Sequence, residues 1–270
     1  MEKMRFIILF LLFALSISFY PTRSHADIPI PFSTTFNCPE QDQSTAGWVN
    51  CDGLKKAGDH TTSAGSRSQI TSSANFPGGG GGRGHRYWIG PGTNNNSGGI
   101  DFEFPAQSEL YVRWYVRWQP GLDLNNSQKM LYFAFGQNVY FDMGDNSTAI
   151  RVVVSGNPYT VQGWGWDQLS DGNATANVSD GAWHCTEIHV KRVPGADNDI
   201  VEWWFDGVRR LHFTNVNFAS DFTIFGAPAN QRANVSTDMW NDTDDFEVRT
   251  TGPIGCISNA PAAPQNLEVR

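Results

Sequence analysis

Three alternating stretches gather the side chains of this sequence that could do chemistry. In residues 109–118, Tyr111, Arg113, Tyr115 and Arg117 share one face of an extended strand, and Leu110, Val112, Trp114, Val116 and Trp118 share the other. The same spacing in 184–191 sets Glu187, His189 and Lys191 against Ile188 and Val190, and in 200–206 it sets Glu202, Trp204 and Asp206 against Val201, Trp203 and Phe205. Tyr and Trp offer flat apolar faces to the C–H side of a pyranose, while Arg, His and Glu make directional hydrogen bonds to hydroxyls and carboxylates. Such a face suits a glycan. The competing use is structural, with Arg113 and Arg117 pairing with Glu187 and Glu202 across neighbouring strands. Trp164 and Trp166, each next to a glycine, read either as stacking platforms on a rim loop or as plugs in a core.

Other candidate groups are less specific. Glycoside hydrolysis needs two carboxylates roughly 5 to 10 Å apart, but Asp101 and Glu103 are followed by Phe104 and Pro105 and read as one polar strand face. Asp142, Asp145 and Asn146, and again Asp242, Asp244 and Asp245, supply hard oxygens of the kind calcium takes, without a calcium-loop code. They read as solvated turns, and no metal or other cofactor is expected. Gly78–Gly82 lacks the strand-to-helix context of a phosphate loop and reads as a turn or a place of close approach. The four cysteines form no C-x-x-C pair, which argues against zinc. Cys38 with Cys51, and Cys185 with Cys256, are the nearest partners in sequence for disulfides, one of three possible connectivities.

The elements that must position these groups are short. The chain has 270 residues, 19 Lys+Arg against 27 Asp+Glu, a net charge of −8, and 27 Gly, 14 Pro and 10 Trp. Polarity comes mainly from Asn, Ser and Thr, which does not suit a helical bundle. The acidic balance excludes a general nucleic-acid binder, and the aromatic content excludes disorder. Lys3 and Arg5 precede an apolar run from Phe6 to Phe19, and the sequence Ser24, His25, Ala26 offers a cleavage site, so residues 1–26 read as a secretory signal. The remaining chain carries 16 Lys+Arg and 26 Asp+Glu, a charge of −10, and no later run long enough to span a membrane. Secretion to the extracellular space or a periplasm is expected, with disulfides permitted. Seven Asn-x-Ser/Thr sites, at Asn95, Asn125, Asn146, Asn173, Asn177, Asn234 and Asn241, matter only in a glycosylating host.

Alternating runs recur at 98–104, 109–118, 129–135, 138–143, 148–155, 158–166, 183–192, 200–206, 208–213, 221–226 and 244–250, with turn residues such as Asp206 and Gly207 between them. No window shows a sustained helical stripe. The expectation is an all-β domain over 27–257, an antiparallel β-sandwich (jelly roll) of two packed sheets, followed by a Pro/Ala-rich linker or truncated tail at 258–270.

The Gly-rich loop, Tyr87 and Trp88, Asn96 to Gly99, the strand 109–118, Gly181 to His184 running on to Lys191, Trp204 to Gly207 and Asp244 to Phe246 together resemble the concanavalin A-like lectin/glucanase jelly-roll superfamily. Laminin-G-like and polysaccharide-lyase-like secreted proteins are the nearest likeness. The resemblance implies a concave sheet on which sugars lie. It also implies, for lyase-like members, a lysine opening a strand, an arginine on a neighbouring strand and nearby tyrosines. Lys129, Arg151 and Tyr159 stand in similar places in the series, with His189 as a further base. β-Elimination across a uronate uses such a set, a cation to neutralise the carboxylate and a base to take the C5 proton. The reading reached from sequence is a secreted polysaccharide-recognising domain using a concave aromatic/basic face. A polysaccharide lyase and a protein-binding adhesion module are the alternatives.

Overall fold

The computed structural model describes residues 28–38, 41–43, 55–56, 67–89, 100–122, 128–133, 139–143, 150–154, 157–160, 179–195, 198–227 and 236–257. The expected signal, the 258–270 tail, Cys51, Trp164 and Trp166 lie outside the described residues. In chain order the strands are β1 (Phe32–Thr34), β2 (Gln41–Gln43), β3 (Lys55–Lys56), β4 (Arg67–Thr71), β5 (Gly84–Ile89), β6 (Ile100–Gln107), β7 (Glu109–Trp118) and β8 (Gln128–Phe133). They continue as β9 (Val139–Met143), β10 (Ile150–Val154), β11 (Asn157–Thr160), β12 (His184–Lys191), β13 (Asp199–Phe205), β14 (Val208–Val216), β15 (Phe222–Ala227) and β16 (Met239–Arg249). A 3-10 turn, Ser72–Ala74, follows β4.

Two antiparallel sheets make a β-sandwich. The nine-stranded sheet runs β14-β13-β12-β7-β16-β5-β4-β2, with β1 also paired to β16, and the seven-stranded sheet runs β11-β10-β9-β8-β15-β6-β3. Alternation decides which face is inside. On β7 the even positions, Leu110 to Trp118, are at most 1% exposed and belong to the main core, joined by Ile188 and Val190 of β12 and by Val201, Trp203 and Phe205 of β13. The seven-stranded sheet answers with Phe102, Leu131, Phe133, Phe141, Val152 and Phe225. Aromatic contacts bridge the layers. Phe102 meets Phe246 at 4.9 Å and Phe141 meets Trp203 edge-on at 5.7 Å, while the Trp203 indole N–H donates to Thr186 Oγ1 at 2.7 Å and so is not left unpaired.

The sequence pattern left out β1 to β5. β4 reads Arg-Ser-Gln-Ile-Thr and β5 starts directly out of the glycine run, so neither shows clean apolar alternation. They form because β16 is eleven residues long and pairs with β5 and β1 while also pairing with β7. The turn between β13 and β14 follows its residues, since Asp206 at φ 50° and Gly207 at φ 76° supply the two left-handed positions of a tight hairpin.

Candidate functional site

The outer side of the nine-stranded sheet holds the face expected from sequence, and its centre is closed. Tyr115 is fully buried, Arg113 is 3% exposed, and Glu187 and His189 are 4% and 5% exposed, although all four point away from the main core. Two pieces of chain roof them. Residues 250–257 cross the face, with the Ile254 and Gly255 N–H groups donating to the two Glu187 carboxylate oxygens at 2.8 Å each and the Ile257 N–H donating to the Tyr115 hydroxyl at 2.6 Å. A disulfide from Cys185 to Cys256 ties this segment to β12. Cys38 is also disulfide-bonded. From the other side Phe76, which leads into the glycine run, lies on Tyr115, and Phe76, Tyr115 and Cys185 form a second small core with Trp183, Cys256 and Ile257 against it.

The arginines of this face are ion-pair partners. Arg113 donates to Asp245 and Glu247, each at 3.1 Å, and Arg117 donates to Asp242. Their acids come from β16 rather than from Glu187, which stands opposite Arg113 on β12 but gives its carboxylate to the Ile254 and Gly255 N–H groups, or from Glu202, which lies one strand further away on β13. Asp242, Asp244 and Asp245 are therefore not a solvated turn open to calcium. They sit within β16, Asp242 bonded to two arginines, Asp245 to Arg113, and Asp244 accepting the Phe76 and Asp245 N–H groups at 2.7 Å. Among the described residues no cluster of three or more His, Cys, Asp or Glu could hold a metal. Asn241, one of the sequons, is fully buried in the same strand and closed to glycosylation.

At the far end of the face the groups interlock. His189 stacks on Tyr111 at 4.0 Å and 6° and bridges two carboxylates, Glu202 at 2.9 Å through Nδ1 and Glu109 at 3.0 Å through Nε2. Lys191 bonds Glu109 at 3.0 Å, and Arg209 and His212 both bond Glu202. Burial pushes the Glu109 carboxyl up, but hydrogen bonds from Lys191 and His189 outweigh it and leave it below the ordinary value. Burial, then the neighbouring Glu109 charge, pushes the Tyr111 phenol up to about 12, so it stays protonated at neutral pH and is no base. Trp204 stands beside this network, partly exposed.

The outer side of the seven-stranded sheet is organised differently. Phe141 of β9 and Val152 of β10 face the core. One row of paired positions runs in register through Lys129, Asp142, Arg151 and Thr160 on four neighbouring strands. A second runs across all seven, through Lys55, Asp101, Gly226, Tyr132, Tyr140, Val153 and Pro158. Lys129 Nζ lies 5.6 Å from the Tyr132 ring centroid, linking the rows. Lys129 and Arg151 thus align in register, on either side of Asp142. Tyr159 falls outside this row, because it pairs with Val152 rather than with Arg151. His189 falls outside it too, since it lies on the outside of the other sheet, a sandwich's thickness away.

Sequence reasoning missed Tyr132, Tyr140 and the alignment of Asp142 with Lys129 and Arg151. A parity count on 129–133 alone would mislead, because a bulge between Lys129 and Leu131 shifts the alternation by one.

No protein family and no curated protein matches the sequence. Solved structures do. An alginate lyase, Aly36B, determined in complex with an alginate trisaccharide, superimposes with a TM-score of 0.53 at 12% identity, over 83% of this chain and 100% of that one. Cellulose induced protein Cip1 superimposes with a TM-score of 0.52 at 17% identity, over 83% of this chain and 99% of that one. At these identities the likeness is one of fold alone, a β-sandwich. Among the described residues no helix is long and apolar enough to cross a membrane.

Proposed function

We infer that the chain binds a polysaccharide along the outer face of the seven-stranded sheet. The observation that carries this reading is the strand register, which aligns Tyr132 with Tyr140, and Lys129 with Asp142 and Arg151, on neighbouring strands. Tyrosines supply ring-stacking surface, and the flanking cations and carboxylate supply directional bonds to hydroxyls or uronate carboxylates. A row of aligned positions crossing several strands suits an extended polymer better than a small solute. Fold relatives that act on alginate or are induced by cellulose support a glycan, acidic or neutral.

The test is titration of the chain with alginate and cello-oligosaccharides. Binding should weaken about tenfold in Tyr132→Ala, in line with the loss of one stacked ring. An unchanged affinity in that variant, or no binding of either sugar at millimolar concentration, overturns the reading.

β-Elimination is the second reading, favoured by Lys129 and Arg151 standing in one row, able to neutralise a uronate carboxylate. It requires a base other than Tyr159 or His189. Incubation with alginate, followed by the absorbance of an unsaturated uronate, decides it.

A further inference from the structure

At the end of the nine-stranded face opposite His189, five side chains alternate in a stack. The Arg86 guanidinium lies 4.2 Å from the Trp240 ring centroid and 5.6 Å from that of Trp88, and the Arg117 guanidinium lies 4.8 Å from Trp183 and 5.1 Å from Trp240. The order is Trp88, Arg86, Trp240, Arg117, Trp183. Cross-strand register builds it, since Arg86, Asp242 and Arg117 are aligned on β5, β16 and β7 with Trp88 and Trp240 paired one row away on the same side.

Both guanidiniums are held by the same buried groups. Arg86 donates to Asp242 through Nε at 2.7 Å and Nη2 at 2.9 Å, and Arg117 through Nε at 3.2 Å and Nη2 at 2.5 Å, while the Nη2 groups also reach the Ser73 carbonyl. Asp242 is fully buried. Two cations therefore share one anion, and the triad keeps an excess positive charge in a chain whose net charge is −8. The grip uses only the Nε and Nη2 edge. Neither Nη1 group has a hydrogen-bond partner among the described residues, neither is a buried atom, and the side chains are 12% and 21% exposed.

We propose that Arg86 and Arg117 form a binding subsite for an oxyanion carried on a sugar ring, either the carboxylate of a uronate or a sulfate ester. The two Nη1 groups donate to the oxyanion, and the partly exposed indoles of Trp88, Trp240 and Trp183 flank the ring. The indoles separate this site from a plain anion trap, because they add apolar area that only a ring-bearing ligand uses. Pre-positioning lowers the binding cost, since the stack and Asp242 have already fixed both guanidiniums in place. This subsite is on the sheet opposite the tyrosine rows and does not depend on them.

The test titrates the full chain with an alginate trisaccharide, a sulfated galactose trisaccharide and cellotriose, following tryptophan fluorescence and the indole N–H resonances at low and high salt. At least one acidic sugar should shift the Trp88, Trp240 and Trp183 resonances, with binding that weakens as salt rises. Which acidic sugar binds identifies the oxyanion. Arg86→Lys and Arg117→Lys, which keep the charge and lose the fork, should each weaken it about tenfold or more. The proposal fails if neither acidic sugar moves those indoles, if cellotriose moves them equally, or if both lysine variants keep wild-type affinity. The indole measurement uses the unaltered chain, so a variant that misfolds does not spare the proposal. Sugar binding that moves Tyr132 with silent indoles sinks this subsite alone.

Discussion

Phe76 and Tyr115 lie face to face, their ring centroids 3.7 Å apart and their planes 13° from parallel. This contact closes the outer side of the nine-stranded sheet from the N-terminal half of the chain, as residues 250–257 close it from the other. It is anchored through the Phe76 N–H, which donates to Asp244 at 2.7 Å. Phe76→Ala empties a fully buried ring site and should cost roughly 3 to 5 kcal/mol. Tyr115→Phe keeps the ring and removes only the acceptor of the Ile257 N–H, for about 1 kcal/mol. Urea unfolding midpoints of the two variants separate packing from hydrogen bonding.

The disulfide between Cys185 and Cys256 spans 71 residues, and a loop of that size corresponds to roughly 4 kcal/mol of denatured-state entropy. Cys256→Ser should lower the unfolding temperature by several degrees. It should also speed amide exchange at Ile254, Gly255 and Ile257, whose N–H groups bond Glu187 and Tyr115. Slow exchange at those three amides in the variant would mean that hydrogen bonds alone hold the segment.

Two buried groups give stability the same slope with pH. Burial lowers the basicity of His184, but hydrogen bonds to Asp180 and Asp206 overcome it and raise the imidazole to about 9. Its folded value exceeds the ordinary 6.5, so its contribution, on the order of 3 kcal/mol, is complete below pH 6.5 and is lost as pH rises through about 9. Burial likewise raises Asp244 to about 8 from 3.8, so the cost of ionising it grows as pH climbs between those values. Thermal unfolding followed from pH 5 to 9 should show a steady loss of stability, and His184→Asn should flatten its upper part. A maximum above pH 8 would contradict both assignments.

The glycine run is not uniform. A Cβ on Gly81 would lie 2.5 Å from the Thr35 carbonyl oxygen, a backbone atom, whereas a Cβ on Gly80 would meet nothing within 4 Å. Gly81→Ala should therefore cost about 1 to 3 kcal/mol or more, and Gly80→Ala should stay within about 0.5 kcal/mol of the parent. Denaturant midpoints of this pair test whether the run serves close approach or mere flexibility.

The sandwich was readable because β7, β12 and β13 alternate cleanly and the inward residues are large and apolar. What faces outward could not be read the same way. Alternation says that Tyr115 and Arg113 point away from the main core, but not that residues 250–257 and Phe76 cover them, since both covers come from segments distant in sequence, Ile257 by 142 residues. Pairing partners were also hidden. Arg113 and Arg117 meet acids of β16 because strand order places β16 at their side, and strand order is not a local property. Lys129 and Arg151 fall in one row, yet Tyr159 misses it by a single residue, and only register distinguishes the two.

Fastening residue 256 to β12 also fixes a point of attachment. Ile257 is held on the roofed side of the sandwich, on the sheet opposite Tyr132. A surface coupling made directly behind Ile257 would grip the domain by its roofed side, and comparing it with coupling through Lys129 tells which sheet a polymer must reach.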